Sequence, residues 1–137
     1  MMLEAEKIMT LTVQCAPCYE VKENLEGYLR VIPIIGGTFE GKLKGKIISG
    51  GADWNTEKKD GVSHVAAKYM IQTDDGYYIS VENVGMIHWE DDAVVKTVPH
   101  FSTSMDSPYK WLNYGVYVGG LKVLGNEQVE ITVYALK

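Results

Sequence analysis

Strict alternation of apolar and polar residues constrains this chain more than any other feature. Val129, Ile131, Val133 and Ala135 alternate with Gln128, Glu130, Thr132 and Tyr134, and Met9, Leu11 and Val13 alternate with Thr10, Thr12 and Gln14. Val65, Ala67, Tyr69 and Ile71 follow the same rule against His64, Lys68 and Gln72, with Ala66 as a tolerated exception. Successive side chains of a strand point to opposite faces, so each run predicts a strand with one buried and one wet face. The pattern places strands near residues 3–14, 30–35, 42–49, 62–73, 77–86, 94–103, 114–122 and 128–136. No segment sustains the 3.6-residue period of a helix. Helical turns are expected only at residues 109–112 and around 19–25.

Turns then fix which residues face each other. A two-residue loop at Asp75-Gly76 would set Tyr69 opposite Glu82, joining an apolar face to a polar one. A three-residue loop of Asp74, Asp75 and Gly76 instead pairs Ile71 with Ile79, Tyr69 with Val81 and Ala67 with Asn83. That arrangement is a type I turn closed by a left-handed glycine bulge. For the last hairpin, a two-residue loop at Gly125-Asn126 sets Val118 against Val133 and Val116 against Ala135.

Eight alternating antiparallel strands must dispose of their edges, and closure removes them. The expected fold is therefore all-β, a single antiparallel β-barrel of about eight strands of the lipocalin or calycin kind. Such a barrel leaves an interior that side chains fill or that holds one small ligand. A two-sheet sandwich is the alternative. Up-and-down connectivity segregates the loops to two ends. One end collects residues 15–29, 50–60, 85–92 and 125–126; the other collects 36–41, 74–76 and 104–113. The first has longer loops and more ionisable groups, which favours it as the mouth.

The chain's 137 residues make one domain, spanning residues 1–137, with a real core. A formal net charge of -5 argues against nucleic acid. Lys42, Lys44 and Lys46 alternate along one expected strand and read as its wet face. No apolar run approaches the ~20 residues that span a bilayer as a helix. The first residues lack the basic-then-apolar order of a signal peptide, so a cytoplasmic setting is expected. Self-association stays open. Both cysteines lie in Cys15-Ala16-Pro17-Cys18. A structural zinc site needs four ligands and there is no second cysteine pair, while a redox dithiol belongs to a βαβ setting. A structurally neutral loop is the expectation, and neither a metal nor a cofactor is assigned. Phosphate loops, serine elbows and dinucleotide fingerprints are missing from the sequence.

Seven short motifs stand in a fixed order: Gly36-Gly37-Thr38-Phe39-Glu40-Gly41, Gly50-Gly51-Ala52-Asp53-Trp54, Lys68-Tyr69, Thr73-Asp74-Asp75-Gly76, Asn83-Val84-Gly85, Phe101-Ser102-Thr103 and Tyr109-Lys110-Trp111-Leu112-Asn113. Each is weak alone. Together, over residues 33–134, they resemble the domain of unknown function 3237 family, whose members look like β-barrels. The chain departs from the family pattern at Val84 and Tyr114, where basic residues are frequent. A few fungal relatives resemble ring-closing enzymes of natural-product pathways, which implies a small hydrophobic or aromatic partner and an isomerase or cyclase type of activity. A non-catalytic ligand binder and a barrel with a filled lumen are the competing readings.

Asp53 is the candidate acid or base. A carboxyl beside an indole is raised in pKa when buried, although an Asp after two glycines also braces loops. Gly50 and Gly51 supply positive φ and close backbone approach at the rim. Trp54, beside Asp53, is an expected ligand-binding residue. Asn83 shares the inward face of Ile79 and Val81 and needs partners there, whether a ligand or Tyr69 and a water. Trp111 is expected to floor the barrel, with Asn113 tying the turn beneath it. His64 and His100 fall on wet faces. His88, near Glu90, Asp91 and Asp92, is read as a surface residue of a mouth loop. Asp53, Trp54, Tyr69 and Asn83 are expected to converge on one cavity.

Overall fold

Period-two strands with one apolar face curl so that this face closes on itself, and the computed structural model has that form. It describes residues 1–89 and 95–137. The strands are β1 (Ala5–Cys15), β2 (Tyr19–Glu23), β3 (Tyr28–Gly41), β4 (Gly45–Glu57), β5 (Val62–Thr73), β6 (Tyr78–His88), β7 (Val95–Thr103), β8 (Tyr117–Gly125) and β9 (Gln128–Leu136), with one 3-10 turn at Lys110–Asn113. All neighbours run antiparallel in the order β1-β9-β8-β7-β6-β5-β4-β3, and β1 pairs with β3 to close an eight-stranded barrel. The first and last strands of the chain meet at the β1–β9 seam. Across it Glu6 reaches Lys137 and, on its other flank, Lys42. Those two ammonium groups, Lys137 foremost, hold the Glu6 carboxyl down to about 2. Among the described residues no helix is long and apolar enough to cross a membrane.

β2 is the ninth strand and corrects the helical turn expected around residues 19–25. It pairs with the first residues of β3, Tyr19 opposite Val31 and Glu23 opposite Tyr28. β1 pairs with the later part of β3, from Ile34 to Gly41. β1 and β2 are thus one wall strand broken at Ala16-Pro17, where the Ala16 N–H still donates to the Pro33 carbonyl at 3.0 Å. Proline has no N–H to give to a ladder, which explains the break. The Cys-x-x-Cys motif therefore spans the kink in the barrel wall, with Cys15 ending β1 and residues 16–18 outside any strand.

β4 also runs beyond its expected end at residue 49. Its register against β5 slips between Ile48–Met70 and Ala52–Lys68, and the strand then continues to Glu57. Gly50 takes φ +120 at this bulge. Gly51 serves a different need. A Cβ there would stand 2.4 Å from Tyr69 Cβ and 2.5 Å from the Lys68 carbonyl oxygen, so only glycine lets β4 pass. Both properties assigned to this glycine pair are present, one on each residue.

The β5–β6 hairpin has the expected register: Ile71 faces Ile79, Tyr69 faces Val81 and Ala67 faces Asn83. Its turn closes with the Gly76 N–H on the Thr73 carbonyl at 2.9 Å, and Gly76 takes φ +98. The last hairpin differs by one residue. Tyr117 faces Ala135, Gly119 faces Val133 and Leu121 faces Ile131, around a turn at Asn126 and Glu127 with φ +53 and +60. Tyr117 and Gly119 point inward, while Val116 is exposed. The expected pairing of Val116 and Val118 is thereby overturned.

The core gathers Met9, Leu11, Val13, Ile71, Ile79, Val81 and Val133, all essentially sealed from solvent. Phe101 meets Tyr117 edge to face at 5.3 Å, and Leu112 is buried beside them in the same core. The apolar filling thins toward the end where β1 breaks. A cavity remains there.

Candidate functional site

The cavity occupies about 420 Å³, and its wall runs from Tyr69 and Asn83 up to Cys15, Trp89 and Glu127. This volume falls within the range of small-molecule pockets. Its position at the end of the 15–18 kink and the 126–127 turn matches the end favoured as the mouth. The lining is overwhelmingly apolar, with Val13, Ile32, Ile34, Val65, Ile87 and Ile131 among its members. A few polar groups interrupt it.

The rows across the sheet explain which. Ile32, Asp53, Ala67, Asn83 and Pro99 stand side by side on β3 to β7. Asp53 and Asn83 thus flank Ala67, with their Cα atoms roughly 10 Å apart by strand spacing. The small Ala67 side chain leaves the space between them open. One step deeper lies the row of Gly51, Tyr69, Val81 and Phe101.

Asp53 is largely buried in this wall. Desolvation pushes its carboxyl above the ordinary carboxylate value, against the hydrogen bond from the Ala66 N–H and the nearby His64. That bond, 3.0 Å to Oδ1, fixes the carboxyl's orientation. Tyr69 is 4 % exposed, and burial drives its phenol pKa up, so the ring keeps its proton throughout the physiological range. Cys15 is likewise held as a thiol, by burial first and then by the charges of Asp53 and Glu127.

Two deep polar atoms have no hydrogen-bond partner among the described residues: Asn83 Oδ1 and Thr97 Oγ1. Both side chains are buried and both line the cavity. An unmet buried polar atom costs about 1–3 kcal/mol, so a ligand that satisfies it gains correspondingly. Thr97 sits between two glycines. A Cβ at Gly119 would come within 2.6 Å of Thr97 Oγ1, and one at Gly85 within 3.1 Å of Thr97 Cγ2.

Of the sequence candidates, Asp53, Tyr69 and Asn83 meet at this cavity. Trp54 does not. It follows Asp53 within β4 rather than in a loop, so its ring lies on the outer face, half exposed, over Lys68, Glu82 and Val84. Trp111 is also misassigned as a floor. It is 37 % exposed, and Leu112 beside it is the buried residue. Asn113 ties the turn as expected: its Oδ1 accepts from the Thr103 N–H at 2.8 Å and its Nδ2 donates to the Thr103 carbonyl at 3.0 Å. Neither Trp111 nor Asn113 lines the cavity.

Thr97, Trp89 and Cys15 are among the lining residues that escaped the sequence reading. Thr97, inside the strand expected at 94–103, and Trp89, just past β6, keep the inward parity of Phe101 and Ile87, so alternation read through β7 and two residues beyond Ile87 finds both. Trp89 donates from Nε1 to Ser63 Oγ at 2.9 Å, which holds its ring at the mouth. Cys15 needed knowledge of the strand break. His88 belongs to β6 opposite Val62, not to a loop, and the acidic residues 90–92 considered with it lie outside the described residues. Among the described residues no three His, Cys, Asp or Glu side chains gather closely enough to hold a metal ion.

Similar proteins share both sequence and architecture. The UPF0311 protein blr7842 of Bradyrhizobium diazoefficiens is 29% identical over 131 residues, covering 85% of this chain and 86% of its own. A β-barrel-like protein of Acinetobacter baumannii superposes with a TM-score of 0.87 at 34% identity, over 98% of this chain and 96% of that one. An enzyme from Penicillium herquei superposes with a TM-score of 0.81 at 25% identity, over 98% and 95% of the two chains. The model of the protein family of unknown function DUF3237 matches residues 3–136, and the chain belongs to that family.

Proposed function

We propose that this barrel is an enzyme that relocates protons within a small hydrophobic or aromatic compound held in its lumen, an isomerisation or ring closure without net consumption of a second substrate. One observation carries the reading: the largely desolvated carboxyl of Asp53 faces a mostly apolar cavity that also holds the unpartnered Asn83 Oδ1. Burial that raises the carboxyl's pKa brings its acid and base forms closer to balance at working pH, the condition for efficient proton transfer. Asp53 delivers a proton to one atom of the bound compound and recovers one from another, ending as it began. Tyr69, kept neutral, and Asn83 orient the compound's polar end. The likeness to an enzyme from Penicillium herquei supports the same reading.

The hydrogen bond from Ala66 to Asp53 favours a second reading, in which the carboxyl only braces the wall and the lumen binds without chemistry. The two separate in heavy water. Small phenols and enones that bind by saturation-transfer NMR are incubated with the protein in D2O and followed for deuterium uptake at carbon. Uptake with the parent and none with Asp53→Asn, at unchanged binding, is expected. Equal behaviour of parent and variant leaves only the binding reading.

A further inference from the structure

We infer that the lumen selects uncharged compounds that present a hydroxyl to Asn83 and Thr97 and rejects their carboxylate counterparts. The inference rests on the small-molecule reading above and names the class of ligand. Asn83 Oδ1 can only accept a hydrogen bond, whereas Thr97 Oγ1 can donate or accept. Both are buried, both line the cavity and both lack a partner among the described residues.

They are also neighbours. Val84 pairs with Val98, so Asn83 and Thr97 are diagonal across β6 and β7, a separation of roughly 7–8 Å at Cα. Thr97 turns its Cγ2 toward Gly85 on β6 and its Oγ1 toward Gly119 on β8, so a ligand hydroxyl that donates to Asn83 accepts from Thr97 once the threonine side chain rotates its hydroxyl toward β6. An ether oxygen accepts only, and leaves Asn83 Oδ1 unmet. A carboxylate does worse, because it turns two further acceptors on that oxygen.

Charge points the same way. The described residues of the wall include the carboxyl groups of Asp53 and Glu127 and no Lys, Arg or His. A ligand anion would enter an apolar cavity beside acidic groups with nothing to balance it, which low-dielectric surroundings penalise strongly. Gly119 contributes as well. A Cβ at that position would stand 2.6 Å from Thr97 Oγ1, so only glycine leaves room beside this buried oxygen.

Three matched probes test the inference by titration calorimetry at neutral pH: 2-naphthol, 2-methoxynaphthalene and 2-naphthoate. The expected result is that 2-naphthol binds at least about tenfold more tightly than either of the others. In Thr97→Val, which keeps the side-chain shape, 2-naphthol should lose about two- to tenfold of its advantage over the ether. The same variant should melt no lower than the parent, since it removes an unmet buried hydroxyl. Asn83→Leu should erase the preference for a donor. Naphthoate binding as tightly as naphthol overturns the inference while leaving a small-molecule site. A preference that survives intact in both variants also overturns it, and Thr97→Val decides alone if Asn83→Leu does not fold. Failure of all three probes to bind removes the inference and the small-molecule reading together.

Discussion

Replacing Gly51 with alanine isolates the close approach of β4 and β5 beneath the cavity. The added Cβ would meet Tyr69 Cβ at 2.4 Å, the Lys68 carbonyl oxygen at 2.5 Å and Tyr69 Cα at 2.8 Å. Carbon atoms in comfortable contact stand about 3.5–4.0 Å apart, so the overlap is on the order of 1 Å. Every atom it strikes is backbone or the root of a side chain, and none can swing aside. The strands must separate, which breaks the register that brings Asp53 opposite Ala67. Overpacking of this kind costs about 1–3 kcal/mol. For 137 residues the unfolding entropy is roughly 0.3 kcal/mol per degree, so the melting point should fall by about 3–10 °C. Gly36→Ala is the matched control, because its Cβ would find nothing within 4 Å. Thermal unfolding followed by circular dichroism reads both. If Gly51→Ala melts within a degree of Gly36→Ala, the close approach is not real and the placement of Tyr69 under the bulge fails with it.

Two further variants probe separate physics. Gly76 has open space around its Cβ but takes φ +98, so Gly76→Val carries a conformational cost alone, about 1–2 kcal/mol; a melting point unchanged from the parent would refute the three-residue turn. Burial raises the pKa of Asp53 in the folded state above its unfolded value, so its contribution to stability is fully present below the unfolded pKa and is lost as pH rises through the folded one. The carboxamide introduced by Asp53→Asn keeps an oxygen for the Ala66 N–H without the charge. That variant should therefore melt above the parent at pH 8, with the gap closing toward pH 4; a gap that is constant or reversed contradicts the burial of that carboxyl.

The β5–β6 hairpin was legible because Tyr69 and Ile71 on β5 and Ile79 and Val81 on β6 alternate inward beside the turn, so only one register matches apolar to apolar. The β8–β9 hairpin was not, because β8 turns Tyr117 and Gly119 inward and leaves Val116 in solvent. Gly119 is small for Thr97, a reason that lies on another strand and leaves no mark in the local pattern. Asp53 and Trp54 looked like a rim loop since two glycines usually end a strand. Here they make a bulge, and the strand resumes with alternation intact. That continuation brings Asp53 in and turns Trp54 out. The polar members of the site were the easier to miss, because a hydrophobic pattern gives Thr97 no weight even though its parity is inward.

The seam between β1 and β9 has a consequence for how the barrel comes into being. Gln14 Nε2 reaches the Asn126 carbonyl at 3.3 Å across 112 residues of sequence, at the mouth end of that seam. The β3–β4 and β5–β6 hairpins form from near neighbours, but the ring cannot shut until β9 has been synthesised and returned to β1. Long-range pairing of this kind slows folding and leaves intermediates with open strand edges. During that interval β1 and β8 both expose unpaired backbone groups, a template for the β9 of any other nascent chain. Growth at lower temperature and slower synthesis should therefore raise the soluble yield of this protein, since they give the seam time to close on its own strand.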